Sequence, residues 1–248
     1  MSTLFDLAII GAGISGLTCA QQLQQAGYRV VVLEKSRGAG GRAATRRLTG
    51  GLTATRADHG LRYLEAEGDR FAPWVEGLVD RGILQPWAET GYVWQGKPIA
   101  RSVPPRYVAP NGMNAIGKFL ATNLEIWFDR RVQAIAATET GWHLTLDAPN
   151  GSLELPLEVR AKAAIVAIPA PQAQALLATT TDVPIALLDV LRCVEYDPCI
   201  TAIAGYPPAR QANLAAWQAV SCPLDSDLLW IGLDSSKRIS DPSSAPTQ

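Results

Sequence analysis

The chain lacks most of the features that give a function away at first sight. Its 248 residues include two histidines and four cysteines. Cys19, Cys193, Cys199 and Cys222 are scattered, without a CxxC pair or a nearby histidine. That argues against a zinc site and against a disulfide framework, so reduced thiols and no metal are expected. Neither sign of charge dominates: Lys and Arg total 22, Asp and Glu 23, for a net of −1. General attraction to nucleic acid or to acidic membranes is therefore not expected. No apolar run approaches the roughly 20 residues of a transmembrane helix. The N-terminus has no basic n-region, and its apolar stretch is interrupted at Asp6, which reads as a buried strand instead of a signal peptide. The expectation is a cytoplasmic protein that takes a small-molecule substrate, with no nucleic-acid or membrane partner. Homo-oligomers stay open, without sequence support.

What is present is apolar content and glycine in one telling order. At 48% hydrophobic and 18% charged, the chain can bury a core as one large domain or two interleaved smaller ones. An apolar run, Leu7 to Ile10, stops at Gly11-Ala-Gly13-Ile-Ser-Gly16. A helical stretch follows, then a second apolar run from Val30 to Leu33 that ends at Glu34. Strand, glycine turn, helix, strand, acid is the order of a dinucleotide-binding βαβ unit, and it sets the fold class as α/β. Gly11 permits the tight turn, Gly13 lets backbone approach a pyrophosphate, and Gly16 lets helix and sheet pack closely. The helix start presents unpaired N–H groups to phosphate. Glu34, about 20 residues on, stands where a carboxylate accepts hydrogen bonds from a ribose diol.

FAD and NAD share that half of the molecule, so the next segment has to separate them. Lys35-Ser-Arg-Gly-Ala-Gly-Gly-Arg42 is a basic glycine loop where a simple NAD domain would start its second crossover helix. Gly38, Gly40 and Gly41 disfavour such a helix. Backbone freedom together with the Arg42 guanidinium suits a second phosphate-contacting loop. Lys35 and Arg37 stand between phosphate steering and plain exposure, and Arg46 and Arg47 read as a solvated face.

With these residues in view, the sequence resembles the FAD-dependent amine-oxidase superfamily with its GGR signature. The segments are GAGISG, LEKSRGAGGR and ADHGLRY, then VAPNGMNAIGKFLA, RRVQAI, AIVAIPAPQA, VEYDPCITAIAGY and WIGLDSSKR, in family order. Within the superfamily the likeness is to the renalase-like flavoproteins. The resemblance implies a Rossmann-like FAD-binding domain interleaved with a mixed α+β substrate domain. It implies FAD as cofactor, held at the pyrophosphate by Gly11, Gly13, Ser15 and Gly16 and at the ribose by Glu34. Lys35, Gly41 and Arg42 would lie along the phosphates or ribityl chain, Arg62 and Tyr63 beside the flavin, and the Val132 backbone against the adenine. The implied activity is that of an oxidase, passing a hydride from an amine or dihydronicotinamide-type substrate to FAD and electrons to dioxygen. No acid–base pair presents itself, and no catalytic residue is assigned. His59 reads as a structural histidine next to Asp58.

The implied domains are 1–68 with 104–170 for FAD and 69–103 with 171–239 for substrate, followed by a polar tail at 240–248. Helices are expected at Asp69–Arg81, after Asn111-Gly112, and at Pro171–Ala178. A hairpin is expected around Glu89-Thr-Gly91, with aromatic strands carrying Trp87, Tyr92 and Trp94. Pro104-Pro105 should return the chain to the nucleotide-binding body. Strands Leu124–Thr138 and Trp142–Leu146 should form a meander covering the sheet, with His143 facing solvent. Ala163–Ile168 should be a central parallel strand, and Arg192–Tyr206 and Leu228–Leu233 long strands. The superfamily's C-terminal flavin-facing motif has no counterpart in the sequence. Two other readings therefore stay open: a truncated or non-catalytic homologue acting as an interaction module, and an NAD-dependent dehydrogenase.

Overall fold

The computed structural model describes residues 4–48, 55–147, 157–206, 217–224 and 226–238. The expected tail at 240–248 lies outside them. The chain forms two compact units, Met1–Arg42 with Gly117–Cys199 and Ala43–Ile116 with Ile200–Gln248. These cuts differ from the boundaries at 68/69, 103/104 and 170/171 read from sequence. The physical reason lies in the pairing: residues from 43 onward join strands of the second unit, and the helices after 170 pack on the core of the first.

The first unit is built on β1 (Leu4–Ile10), α1 (Ile14–Gln25) and β2 (Val30–Leu33), as the apolar runs and glycine turn require. β1 lies parallel to β2, with Ile10 opposite Leu33. All four residues of β2 are buried, the composition of a strand covered on both faces. Further along the chain come β8 (Ile126–Trp127), β9 (Val132–Thr138), β10 (Gly141–Leu146), β11 (Glu158–Val166), α4 (Ala170–Leu177) and α5 (Ile185–Arg192). The sheet order is β8-β2-β1-β11-β10-β9, with β11 central and parallel to β1 as expected.

Two expectations for this unit need correction. The stretch from Leu124 is not one strand. Asp129 takes φ 53°, its N–H bonds Ser36 O and the Arg130 N–H bonds Glu34 O, so the chain turns around the end of β2 before β9 begins. The meander also does not cover the sheet: β10 pairs with β11 in the same ladder and extends it sideways. Phe5, Val31, Leu33, Ile135, Leu144 and Val159 fill the core, and Leu176 and Leu177 of α4 close over it.

The second unit contains β3 (Thr45–Leu48) paired with β4 (Thr55–Asp58) and a five-stranded sheet. That sheet comprises β5 (Leu64–Glu65), β6 (Gln85–Trp94), β7 (Pro98–Val108), β12 (Ala219–Ser221) and β13 (Trp230–Gly232), in the order β13-β12-β6-β7-β5. α2 (Phe71–Asp80) buries Val75 and Leu78, the face its spacing predicts. α3 (Asn114–Leu120) follows Asn111-Gly112 and carries the division between the units, with Met113, Ile116 and Leu120 buried.

Here too the structure departs from the sequence reading. Glu89-Thr-Gly91 is not a turn but the middle of β6, where Gly91 leaves room for Val103: a Cβ would lie 2.5 Å from it. The hairpin turns instead at Gln95-Gly96-Lys97, with Gly96 at φ 71°. Pro104 and Pro105 stay inside β7, between paired residues Ser102 and Arg106, where the ladder shifts register and needs no N–H from them. The expected long strand Arg192–Tyr206 is absent: α5 ends at Arg192 and residues 194–206 form no regular element. Alternating apolar residues make a strand only where a neighbour satisfies the backbone, and the ladders pair none with this segment. Ile200 there is 96% exposed.

Candidate functional site

The glycine turn holds its shape for separable reasons. Gly11 has φ 106°, and a Cβ on it would lie 2.7 Å from Ala167 O. A Cβ on Gly16 would lie 2.1 Å from the Gly11 carbonyl oxygen, so these two glycines fix the approach of α1 to β1. Gly13 differs: nothing lies within 4 Å of the position its Cβ would take. Its backbone is extended, at φ −72° and ψ 172°, and it stands at the start of α1 without a side-chain cap. The first turn of α1 carries no acidic residue, and Ser15 on it is exposed. This is an open helix N-terminus of the kind that receives phosphate.

The second glycine loop is docked on the first. Gly40 donates its N–H to Ala12 O at 2.8 Å and forms a parallel bridge with Gly13. Gly41 has φ 55°, and its Cβ would stand 3.1 Å from Gly13 Cα. Gly117 presses from the far side, where a Cβ would be 2.4 Å from Gly40 Cα. No helix follows β2 before residue 45, as the glycines predict.

Glu34 ends β2 as a buried carboxylate, 8% exposed. Its Oε2 accepts the Ala12 N–H and its Oε1 the Ser36 N–H, both at 2.8 Å. Each oxygen keeps further lone-pair capacity for a hydroxyl ligand. Val132, buried, opens β9. Lys35 is exposed and donates to Gln172 Oε1 at 2.9 Å. Arg42 is exposed, with its guanidinium 5.9 Å from the Tyr196 ring centroid. Gly11, Gly13, Ser15, Gly16, Glu34, Lys35, Gly41, Arg42 and Val132 thus all belong to the first unit.

Arg62 and Tyr63 belong to the second unit. Arg62 stands 5.0 Å over the Trp230 ring. Tyr63 lies 6.0 Å from Trp87, and Arg106 covers it at 4.3 Å while pairing with Glu65 at 2.9 Å. The Trp230 indole nitrogen is buried and has no hydrogen-bond partner among the described residues. Trp87 is packed, only 8% exposed, whereas Trp94 is exposed. His59 is exposed too, with its backbone N–H donated to Ala44 O at 3.4 Å and its carbonyl accepting the Thr201 hydroxyl at 3.0 Å. His143 is half-buried, with Nε2 3.1 Å from Glu158. Arg46 and Arg47 are exposed, as a solvated face requires.

Sequence reasoning missed an ionic cluster around Asp58, whose side chain is 1% exposed. Asp58 Oδ1 accepts the Thr45 hydroxyl at 2.6 Å and the Met113 N–H at 2.9 Å. Oδ2 accepts Lys237 Nζ at 3.3 Å and Arg238 Nη2 at 3.0 Å. Lys237 also reaches Asp234 at 3.2 Å, and Arg238 pairs with Asp234 as well. Burial alone would raise the Asp58 carboxyl. The Thr45 and Met113 hydrogen bonds and the Lys237 and Arg238 charges more than offset it, holding the group below its ordinary 3.8. The partners lie nearly 180 residues apart in sequence, so no local pattern could join them; the only signal was Asp58 in ADHG and Lys237-Arg238 in WIGLDSSKR.

Among the described residues no group of three or more His, Cys, Asp or Glu side chains is placed to hold a metal, and no helix is long and apolar enough to cross a membrane.

Residues 9–81 match the NAD(P)-binding Rossmann-like domain family. Lysine-specific histone demethylase 1 homolog 1 of Arabidopsis thaliana is 46% identical over 46 residues, 18% of this chain and 6% of that protein. Homolog 3 from Oryza sativa subsp. indica is 42% identical over 52 residues, 21% of this chain and 6% of that protein. The matched stretch is therefore a small part of those relatives. Among solved structures, wild-type putrescine oxidase bound to putrescine aligns over 71% of this chain and 60% of its own, with TM-score 0.53 and 14% identity. A double mutant of putrescine oxidase aligns over 77% and 64%, with TM-score 0.58 and 14% identity. At that identity the structural likeness is one of fold. The family match takes in the glycine turn and its flanking strands, and the architecture carries the structural likeness.

Proposed function

We propose that the chain binds FAD on its first unit and acts as an oxidoreductase on an amine or dihydronicotinamide-type substrate, as the renalase-like likeness of its motifs implies. The observation that carries the reading is the doubled glycine cradle, in which Gly40 and Gly41 dock on Gly13 and leave the Gly13 backbone open. A bound FAD would accept a hydride from substrate and pass the electrons to dioxygen. The chain's own part is to hold it. The α1 N-terminus and the Gly13 backbone would receive the pyrophosphate, the remaining lone pairs of Glu34 the ribose diol, and the Val132 backbone the adenine. Arg42, exposed and among the described residues engaged with the Tyr196 ring alone, would swing onto a phosphate.

The description of the matched family leaves an NAD(P) cofactor in play. Against it stands the loop after β2, which contains no crossover helix, and the neighbour of β2 on that side, which is β8. A non-catalytic homologue is the other rival, supported by the exposed apolar stretch at 194–206. One assay separates the three. The chain is supplied with FAD in air and given reduced nicotinamides or amines, and substrate loss and hydrogen peroxide are followed. Peroxide formed in step with substrate loss is the expected result. FAD uptake without turnover of either class would favour the non-catalytic homologue, and binding of nicotinamide nucleotide but not flavin the dehydrogenase.

A further inference from the structure

One side of the second unit's sheet is made by a short piece of chain. β12 and β13 pair over three residues, from Ala219 opposite Gly232 to Ser221 opposite Trp230. The Leu233 N–H on Gln218 O at 2.8 Å and the Cys222 N–H on Leu229 O at 2.9 Å prolong the hairpin at its two ends. Towards the rest of the sheet its ladder is shorter still, with Val220 beside Tyr92 and Ser221 beside Val93. Ala219 and Val220 are buried, whereas Leu224, Leu228, Leu229 and Ile231 are exposed. β6 and β7, by contrast, are paired from Gln85 opposite Val108 to Trp94 opposite Pro98. Buried apolar area is what holds most elements down, and the hairpin contributes little of it.

Charge and hydrogen bonds hold its far end instead. A single turn, Asp234–Lys237, follows β13, and Arg238 comes next. Lys237 and Arg238 both pair with Asp58 of β4, and Asp234 accepts the Asp58 N–H at 3.4 Å. The other groups on the Asp58 carboxylate are neutral, the Thr45 hydroxyl of β3 and the Met113 N–H ahead of α3. On β6, Gln85 Nε2 donates to Lys237 O at 3.2 Å and the Trp87 indole N–H to Ser236 Oγ at 3.0 Å. Arg238 also donates to Ala109 O at 3.2 Å. All of these contacts lie within the second unit. A buried ion pair resists partial loosening, because removing one partner strands the other charge. Such an end is either fastened or free.

We propose that β12, β13 and the turn at 234–238 are a strap that lifts from the second unit as one piece, with the Asp58 cluster as its lock. Little apolar area, together with ion pairs that water can replace on both sides, is the make-up of a segment that opens below the free energy of global unfolding. Lifting the strap takes the Lys237 and Ser236 contacts off the Trp87 side chain, which has Tyr63 at 6.0 Å on another side. It also parts the Arg62 guanidinium from the Trp230 ring. The strap thus gates an aromatic surface edged by arginine. It is defined by contacts of the second unit alone and stands whether or not the first unit holds a flavin.

The test is hydrogen exchange of the full chain, read by NMR as protection factors, for wild type, Asp58→Asn, Asp234→Asn and Glu65→Gln. Three protons report on the strap: the Cys222 and Leu233 backbone N–H and the Trp87 indole N–H. In wild type they should share one protection factor, lower than that of the β6–β7 amides. Asp234→Asn should lower all three by about tenfold, since it removes a charge-assisted hydrogen bond from the lock, and leave the β6–β7 amides within about twofold. Asp58→Asn should lower them further. If that buried substitution unfolds the unit, Asp234→Asn, made at a partly exposed side chain, still decides. Glu65→Gln breaks the Arg106 pair away from the strap and should leave the three protons as in wild type. Equal protection of strap and ladder in wild type, or an equal change in both on Asp234→Asn, overturns the proposal. No change on Asp234→Asn, or the same change on Glu65→Gln, overturns the lock.

Discussion

The two units are organised by opposite means. In the first, the glycine turn is made by leaving side chains out: Gly11 and Gly16 have no room for a Cβ beside backbone, and Gly13 leaves its backbone open. In the second, segments distant in sequence are joined by charge, with Asp58, Asp234, Lys237 and Arg238 gathered around one largely buried carboxylate. A cradle of glycines is written locally and can be read locally. A buried ion cluster is a property of the folded chain alone.

The largest effect is expected where a glycine is structural. Gly16→Ala drives a Cβ to 2.1 Å from a backbone oxygen, which nothing flexible can relieve. Chemical denaturation should show a loss of about 4 kcal/mol, with no FAD retained. Asp58→Ala should follow, at about 3 kcal/mol, because Lys237 is left buried with one of its two carboxylate partners removed. A stability unchanged within error would mean the cluster contributes nothing net.

The same carboxylate predicts a pH dependence. Its folded pKa lies below the ordinary 3.8, so its contribution is complete above that value and is lost as pH falls through the lower, folded one. The thermal midpoint should drop more steeply on acidification below about pH 4 in wild type than in Asp58→Asn. Parallel curves would remove Asp58 from the account.

Smaller still are changes that leave the fold alone. Glu34→Ala should weaken FAD by about 1.5–3 kcal/mol in a binding titration. Gly13→Ala meets nothing within 4 Å, so stability should stay within about 0.5 kcal/mol while FAD affinity falls. That variant sharpens the comparison most, since it separates a glycine kept for a ligand from one kept for packing. Equal loss of stability in Gly13→Ala and Gly16→Ala would erase the distinction.

These contrasts also explain what was legible in the sequence. β1, the turn, α1, β2 and Glu34 could be placed because each depends on neighbours in sequence, and α2 because its apolar face repeats at helical spacing. The hairpin was misplaced onto Gly91 because a glycine facing Val103 across a ladder looks the same in sequence as a glycine in a turn. Residues 192–206 read as a strand because alternation says nothing about whether a partner strand exists. The roles of Thr45, Asp58, Lys237 and Arg238 were out of reach for the same reason, and so was the unpartnered indole of Trp230.

The central claim is that the first unit is a flavin cradle. Its most direct test is the visible spectrum of the purified chain after incubation with FAD and removal of the excess, with folding checked by circular dichroism. The account predicts a flavin spectrum with FAD at about one per chain, as for a single nucleotide-binding turn. A folded, colourless protein that takes up no FAD would contradict it.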